Sequence, residues 1–461
     1  MLAQACGAQG KGVVVGCAGE LSDEDYHTVT VALACTVACG EGCEREAECM
    51  AIKAEREAKA EAFAHRQWYM TDEGRQAVMA AAADSITPAT YLYSKAVVKE
   101  RVSELKALAG VDRLFYAIKA NAHPDLLRLM YDEGVCFEVV SPGELAHVLE
   151  LFPDLACVHD NDDVPFRIMY TPNFAPLEDY VSVVGTPGLL LTIDNAFILR
   201  KWGAALAGAD VMIRVDTGEG KGHHDFVKTS GKHSKFGVLI SELAEAAELA
   251  AAHGITVRGL HTHTGSGIGD TTTWADNAAT LAAAAANHFP HATILDVGGG
   301  FSVPYHPWVG PLDMGGISDA LASFKAAHPQ YTLFIEPGRY YVAEAGVLVS
   351  TVTQLKDKGE GVRYLGTSAG MHALIRPMLY SSYHHVVNLT AIERASGARP
   401  PAAFFNVVGP ICESGDTIAY GRPLPADSQP GDVVVIAGAG AYGFSMSSNY
   451  NMRPIGEIVI E

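Results

Sequence analysis

Eight short apolar runs, spaced by longer stretches of helical composition, constrain this chain more than any other feature. In order they are Leu114–Ile118, Cys136–Val140, Arg167–Thr171, Leu189–Ile193, Val211–Val215, Val257–Leu260, Ile294–Val297 and Leu333–Ile335. Runs of this length, rich in branched residues and separated by crossover-sized segments, read as parallel strands joined by helices. Eight of them point to a closed (β/α)8 barrel, whose chemistry collects where the strands end at the C-terminal face. The residues just past the runs are Lys119, Ser141, Pro172, Asp194, Asp216, His261, Gly298 and Glu336. One face would then gather a lysine, a histidine, a glycine loop and a glutamate.

After about residue 345 the rhythm changes. Gly346–Leu355, Val362–Gly366, Val386–Thr390, Ala403–Val408, Asp432–Ala437 and Glu457–Ile460 read as strands divided by Gly and Pro turns, with no barrel-type helices between them. This is the pattern of a second, largely antiparallel β domain, a sandwich or small β-barrel. The expected organisation is an extension over residues 1–85 with no assigned role, then a lead-in over 86–111 that belongs with the β domain. The barrel follows over 112–345 and the β domain over 346–461. Within the extension, Glu44–Met70 is rich in Ala, Glu, Lys and Arg and reads as a solvated helix.

Composition removes several function classes. A net charge of −20 argues against nucleic acid or an anionic membrane as partner. No apolar run approaches the roughly 18 residues a spanning helix needs. Val29–Cys39 is shorter than that and follows Asp23, Glu24 and Asp25, the wrong charge for a signal peptide. A cytoplasmic protein is expected. Of nine cysteines, Cys6, Cys17, Cys35, Cys39, Cys43 and Cys49 crowd the extension. Their spacing fits neither a zinc site nor an iron–sulfur pattern, and a chain of 461 residues is not a small disulfide frame. His223, His224 and His233 share a long loop, Gly220–Gly237, without an acidic or cysteine partner at ligand spacing. No metal is expected.

The strand ends carry the chemistry. Lys119 closes Tyr116–Lys119, and a lysine desolvated among apolar neighbours has a lowered pKa and can condense with an aldehyde. Gly298, Gly299 and Gly300 follow a strand, where amides free of side chains can approach a phosphate. Glu336, Gly338 and Arg339 follow the eighth run. A carboxylate there can keep a pyridine nitrogen protonated, and the glycine and arginine can meet phosphate or a substrate carboxylate. His261 and His263 alternate along their strand end, so one imidazole can stack on a ring while Ser266 holds phosphate. Together these are the parts needed to bind and use pyridoxal 5'-phosphate. Arg376, Tyr380, Cys412, Glu413 and Tyr442 add a cation, a thiol, a carboxylate and phenols from the β domain.

From about Thr90 onward the chain resembles the diaminopimelate decarboxylase family, in the alanine-racemase-like barrel class of pyridoxal phosphate enzymes. The resemblance rests on Tyr116–Asn121, Phe137–Leu145, Ser234–Gly237, His261–Gly267, Gly298–Phe301, Glu336–Arg339, Arg376–Tyr380, Cys412–Asp416 and Gly438–Phe444, in the family's order. Met169–Pro176 and Gly218–Lys235 are most similar to the decarboxylase half of fused aspartate kinase–diaminopimelate decarboxylases, without the kinase half. The resemblance implies that Lys119 carries the cofactor, Glu336 faces its ring nitrogen and His263 stacks on the ring. It puts Ser266, Gly299 and Gly338 at the phosphate, with Tyr442 near cofactor and substrate. It makes Arg339, Arg376 and Tyr380 substrate contacts and Glu413 the reader of the distal amino end. Cys412 becomes a proton donor delivered from the second subunit of a homodimer with shared sites.

Pro142, Thr264 and His372 depart from the family's usual residues. The implied reaction is decarboxylation of meso-2,6-diaminopimelate to L-lysine, the last step of lysine biosynthesis. Decarboxylases of ornithine, arginine or carboxynorspermidine are alternatives, as is a non-catalytic homologue that binds a partner protein. A racemase would need a second base that the sequence does not offer.

Overall fold

The computed structural model describes Phe63 and residues 67–84, 88–156, 165–218, 220–222, 229–231, 234–395 and 401–460. Most of the expected helix Glu44–Met70, the cysteines of the extension and His223, His224 and His233 lie outside the described residues, and the described end of that helix, Trp68–Met70, is a 3-10 turn with Tyr69 buried.

Strand β1 (Ala89–Ser94) precedes the barrel. The barrel strands are β2 (Arg113–Ala117), β3 (Cys136–Val139), β4 (Ile168–Tyr170), β5 (Leu189–Ile193), β6 (Asp210–Asp216), β9 (Thr256–His261), β11 (Ile294–Asp296) and β12 (Thr332–Ile335). They pair in parallel in that order, and the β12–β2 pairing closes the ring. All eight expected runs are therefore barrel strands. Three further segments extend the mouth: β7 (Lys221–Gly222), β8 (Val238–Leu239), which pairs with β6, and β10 (Gly265–Ser266), which pairs with β7. The first run ends one residue earlier than expected, because Ile118–Ala120 turns into a 3-10 helix that carries Lys119 out of the strand.

The second sheet holds β13 (Gly346–Asp357), β14 (Arg363–Thr367), β15 (Val386–Asn388), β16 (Ala402–Val408), β17 (Thr417–Pro425), β18 (Val433–Ile436) and β19 (Gly456–Ile460). Its order is β15-β18-β13-β14-β16-β17, with β1 pairing antiparallel to β13 and parallel to β19. Strand β17 was not expected from the sequence. Gly421, Pro423 and Pro425 break its pattern, and its register with β16 shifts twice. Prolines at such irregular edges need no ladder hydrogen bond.

Residues 67–84 belong physically to this sheet. The helix Asp72–Asp84 buries Val78 and Ala81, and Tyr69 just before it is buried too, against Leu92, Val347, Val349 and Val435. Burial of Val78 alone is worth on the order of 2 kcal/mol.

Two turns lock the domains together at the barrel mouth. Tyr442 N–H donates to the Ala120 carbonyl at 2.8 Å, and Asn121 Nδ2 donates to the Gly440 carbonyl at 3.1 Å. Gly440 is required by contact, since a Cβ there would lie 1.8 Å from the Val342 carbonyl.

Candidate active site

The C-terminal mouth of the barrel is lined with charge. Lys119 Nζ donates to Glu138 Oε2 at 2.5 Å, and Thr171 Oγ1 donates to the other oxygen of Glu138. Glu138 is buried on β3, whereas the lysine side chain is 41% exposed and reaches the mouth. Desolvation pulls the Lys119 pKa down, but the Glu138 charge and hydrogen bond outweigh it, and the net shift is upward. This corrects the expectation of a lysine whose pKa is lowered by apolar neighbours. The neighbour that decides is an anion on the next strand.

Glu336 leaves β12 with its backbone N–H donating to the Gly298 carbonyl at 3.0 Å. Its Oε2 lies 3.1 Å from His261 Nε2, while its buried Oε1 has no hydrogen-bond partner. Burial pushes the carboxyl pKa up, but His261 and Lys119 bring it down to about 2. Of the two histidines on this strand end, His261 thus supports Glu336. His263 accepts from Gly299 N–H through Nδ1 at 3.2 Å. Burial, with Arg214 and Lys119 nearby, lowers the His263 pKa to about 3, so its ring is neutral.

The glycine loops pack where no side chain fits. A Cβ on Gly299 would lie 2.4 Å from the Glu336 carbonyl, and one on Gly300 would lie 2.5 Å from the Gly265 carbonyl. Gly298 and Gly300 also have φ of +73° and +94°, a region that favours glycine. Gly338 begins the short helix Arg339–Val342, close against Ala117. Arg339 donates to Ser266 Oγ at 3.0 Å, tying this turn to β10. The result is a side-chain-free rim beside an orphaned carboxylate oxygen and a cationic amine. That set fits a pyridoxal phosphate: the glycine turns for its phosphate, Glu336 for its ring nitrogen and Lys119 for its aldehyde.

Two buried guanidiniums flank this rim. Arg339 Nη1 donates to Tyr305 Oη at 2.7 Å, and its guanidinium stands 4.8 Å from the Tyr442 ring centroid. Arg376 stands 4.9 Å from the Tyr305 ring and donates to His384 Nε2 at 3.0 Å. Burial raises the Tyr305 pKa, but the two arginines reverse this and hold it below the usual phenol range. Tyr380 ends the helix Arg376–Tyr380 and is half-buried, close enough to influence the Arg339 charge. Tyr442 sits in a turn at φ +56°.

Cys412 and Glu413 do not join this group. Both are exposed on the turn between β16 and β17, and Cys412 Sγ lies 3.5 Å from Asn451 Oδ1. The sequence reading missed Glu138, Arg214, Asp296 and Tyr305. Arg214 is buried on β6 near Asp194, its Nη1 3.7 Å from Asp194 Oδ1. Glu138, Arg214 and Asp296 share one signal, a charged residue inside an apolar strand.

The pyridoxal-dependent decarboxylase family, through its pyridoxal-binding domain, matches residues 95–343. A diaminopimelate decarboxylase of Methanothermobacter thermautotrophicus is 35% identical over 358 residues, covering 74% of this chain and 78% of the relative. The diaminopimelate decarboxylase of Streptomyces coelicolor is 34% identical over 397 residues, with 83% and 86% covered. Among solved structures, the Helicobacter pylori diaminopimelate decarboxylase complexed with L-lysine superposes with a TM-score of 0.73 at 26% identity, covering 83% of this chain and 94% of that one. With this coverage and a cofactor cradle in place, the chain belongs to the pyridoxal-dependent decarboxylases, in the diaminopimelate decarboxylase family.

Proposed function

We propose that the protein decarboxylates meso-2,6-diaminopimelate to L-lysine and carbon dioxide, the last step of lysine biosynthesis, in the cytoplasm and as a homodimer with shared sites. The observation that carries the substrate is the buried pair Arg339 and Arg376, converging on Tyr305. Their contacts include Tyr305, Ser266, Tyr442 and His384, and among the described residues neither guanidinium is ion-paired with a carboxylate. Two cations without a resident anion suit a substrate that brings a carboxylate of its own at its far end. Ornithine and arginine bring none. Support for catalysis over a partner-binding role comes from Lys119, Cys412 and the Gly298–Gly300 loop, all present in one chain.

Pyridoxal phosphate, when bound, supplies an electron sink for the pair left on Cα as carbon dioxide departs. Lys119 Nζ would hold the cofactor by its aldehyde carbon and would give up that place to the substrate α-amine. Glu138, at hydrogen-bond distance, takes and returns the proton this exchange moves. Glu336 keeps a proton at the ring nitrogen, and the neutral His263 ring packs on the cofactor face. Ser266, Gly298, Gly299, Gly300 and Gly338 receive the phosphate. Arg339, Arg376, Tyr380 and Tyr442 hold the distal carboxylate, and Glu413 of the second subunit reads the distal amine. Cys412 Sγ of that subunit gives its proton to Cα, and solvent restores the thiol.

Carbon dioxide release from meso-diaminopimelate, ornithine and arginine tests the reading. Turnover of the first, with stoichiometric L-lysine, is expected. Faster release from ornithine or arginine would overturn it.

A further inference from the structure

Beneath the site lies a further buried carboxyl, Asp296 at the end of β11, that the reaction above does not use. Asp296 is fully buried, and its Oδ1 accepts the Gly298 N–H at 2.8 Å. Its Oδ2 has no hydrogen-bond donor, and neither has Glu336 Oε1. One oxygen of each carboxyl and a ring nitrogen of His261 lie within 4.8 Å of one another, and the two carboxyls are within hydrogen-bonding range. Two ionised carboxylates only accept, so they cannot bond each other, and two like charges this close out of water strongly disfavour double ionisation. A single proton between them satisfies both orphaned oxygens at once.

We propose that Asp296 is a protonated positioning residue that donates a hydrogen bond to Glu336, fixing it as the carboxylate that faces the cofactor ring nitrogen. The proposal deepens the reading above and rests on it for the role of Glu336. The surroundings decide which of the two holds the proton. His261 touches Glu336, and the Lys119 ammonium acts on it from the turn that follows β2. Asp296 faces the charges of Glu336 and Glu138, and the hydrogen bond from Gly298 is the main contact that favours ionisation there. Arg214, also buried at the mouth, has Asp194 as its ion-pair partner, with Nη1 3.7 Å from Asp194 Oδ1. The proton therefore sits on Asp296, and the negative charge sits on Glu336. The same aspartate also holds the first residue of the glycine loop. It thereby couples the phosphate end of the cradle to the ring-nitrogen end through one side chain.

Infrared difference spectroscopy on the cofactor-loaded protein reads this directly. A carboxylic acid C=O stretch, sensitive to deuterium exchange, is expected at pH 7 to 8 in wild type and is expected to be lost in D296N. The amide introduced by D296N still accepts from Gly298 and can donate to Glu336, so the variant is expected to fold, which near-UV circular dichroism checks. Absence of the band in wild type, or its retention in D296N, would overturn the proposal. So would a stoichiometric divalent metal in the purified protein, since a cation bridging the three residues would replace the proton. L-Lysine formation measured on the same wild-type sample reports the decarboxylase reading separately. A spectrum without the band beside normal lysine formation rejects only the role of Asp296.

Discussion

At the scale of single residues, the site is decided by pairs of side chains whose members lie far apart in sequence. Lys119 is tuned by Glu138 on the adjacent strand, and Glu336 by His261 two strands away. The charge of Glu336 is held by a buried contact and not by solvent, so on the proposed reading it would keep the cofactor ring nitrogen protonated at neutral pH. Glu336→Gln should retain cofactor yet slow decarboxylation roughly 10²-fold, the scale of losing one preorganised charge contact. Unchanged turnover with full cofactor content would remove the role of Glu336. What the sequence disclosed at this scale were residues standing just past apolar runs: Lys119, His263, the three glycines and Glu336. Glu138, Arg214 and Asp296 stayed hidden because one polar residue within a strand looks like a solvent-facing position. Only ring closure turns their side chains inward together. Tyr305 lies in a loop with no periodicity, and its meaning depends on Arg376, which is supplied by the other domain.

At the scale of elements, the barrel was legible because eight branched, apolar strands repeat with crossover spacing, and strand propensity and burial agree in each. The β17 strand was not legible, since its prolines and glycine mimic a turn while its edge position tolerates them. The pairing of β1 with β19 joins segments more than 350 residues apart and could not be read from local pattern. It also creates a titrating contact. Tyr93 Oη donates to Glu457 Oε1 at 2.7 Å, and burial raises the Glu457 pKa to about 7 despite that bond. A folded-state pKa above the unfolded one means the stability contributed by the protonated form is fully present below about pH 4.3. Its contribution is lost as pH rises through about 7. Glu457→Gln, which cannot ionise, should therefore gain thermal stability relative to wild type as pH is raised from 5 to 8. Melting curves of both proteins across that window check this, and parallel curves would contradict it.

At the scale of the whole molecule, one chain gathers an amine, buried carboxylates and a glycine rim at the barrel mouth, but presents its thiol and Glu413 outward on the β domain. A two-fold pairing would make each site from two chains. Mixing Lys119→Ala with Cys412→Ala protein, each folded and nearly inactive alone, should restore activity to about one quarter of the sites under random exchange. No recovery despite proven heterodimers would place Cys412 outside the shared site. Residues 67–84, packed on the β sheet, belong to the stable body, so a truncation meant to spare it should end before Phe63. The account as a whole stands on the reading of a second substrate carboxylate by Arg376. The most direct measurement is kcat/KM for meso-diaminopimelate and for ornithine, in wild type and in Arg376→Leu. The account predicts a strong wild-type preference for meso-diaminopimelate and a loss of roughly 10²-fold for that substrate in the variant, as expected for truncating a buried charge contact. A wild type that favours ornithine, or a variant that keeps its meso-diaminopimelate turnover, would contradict it.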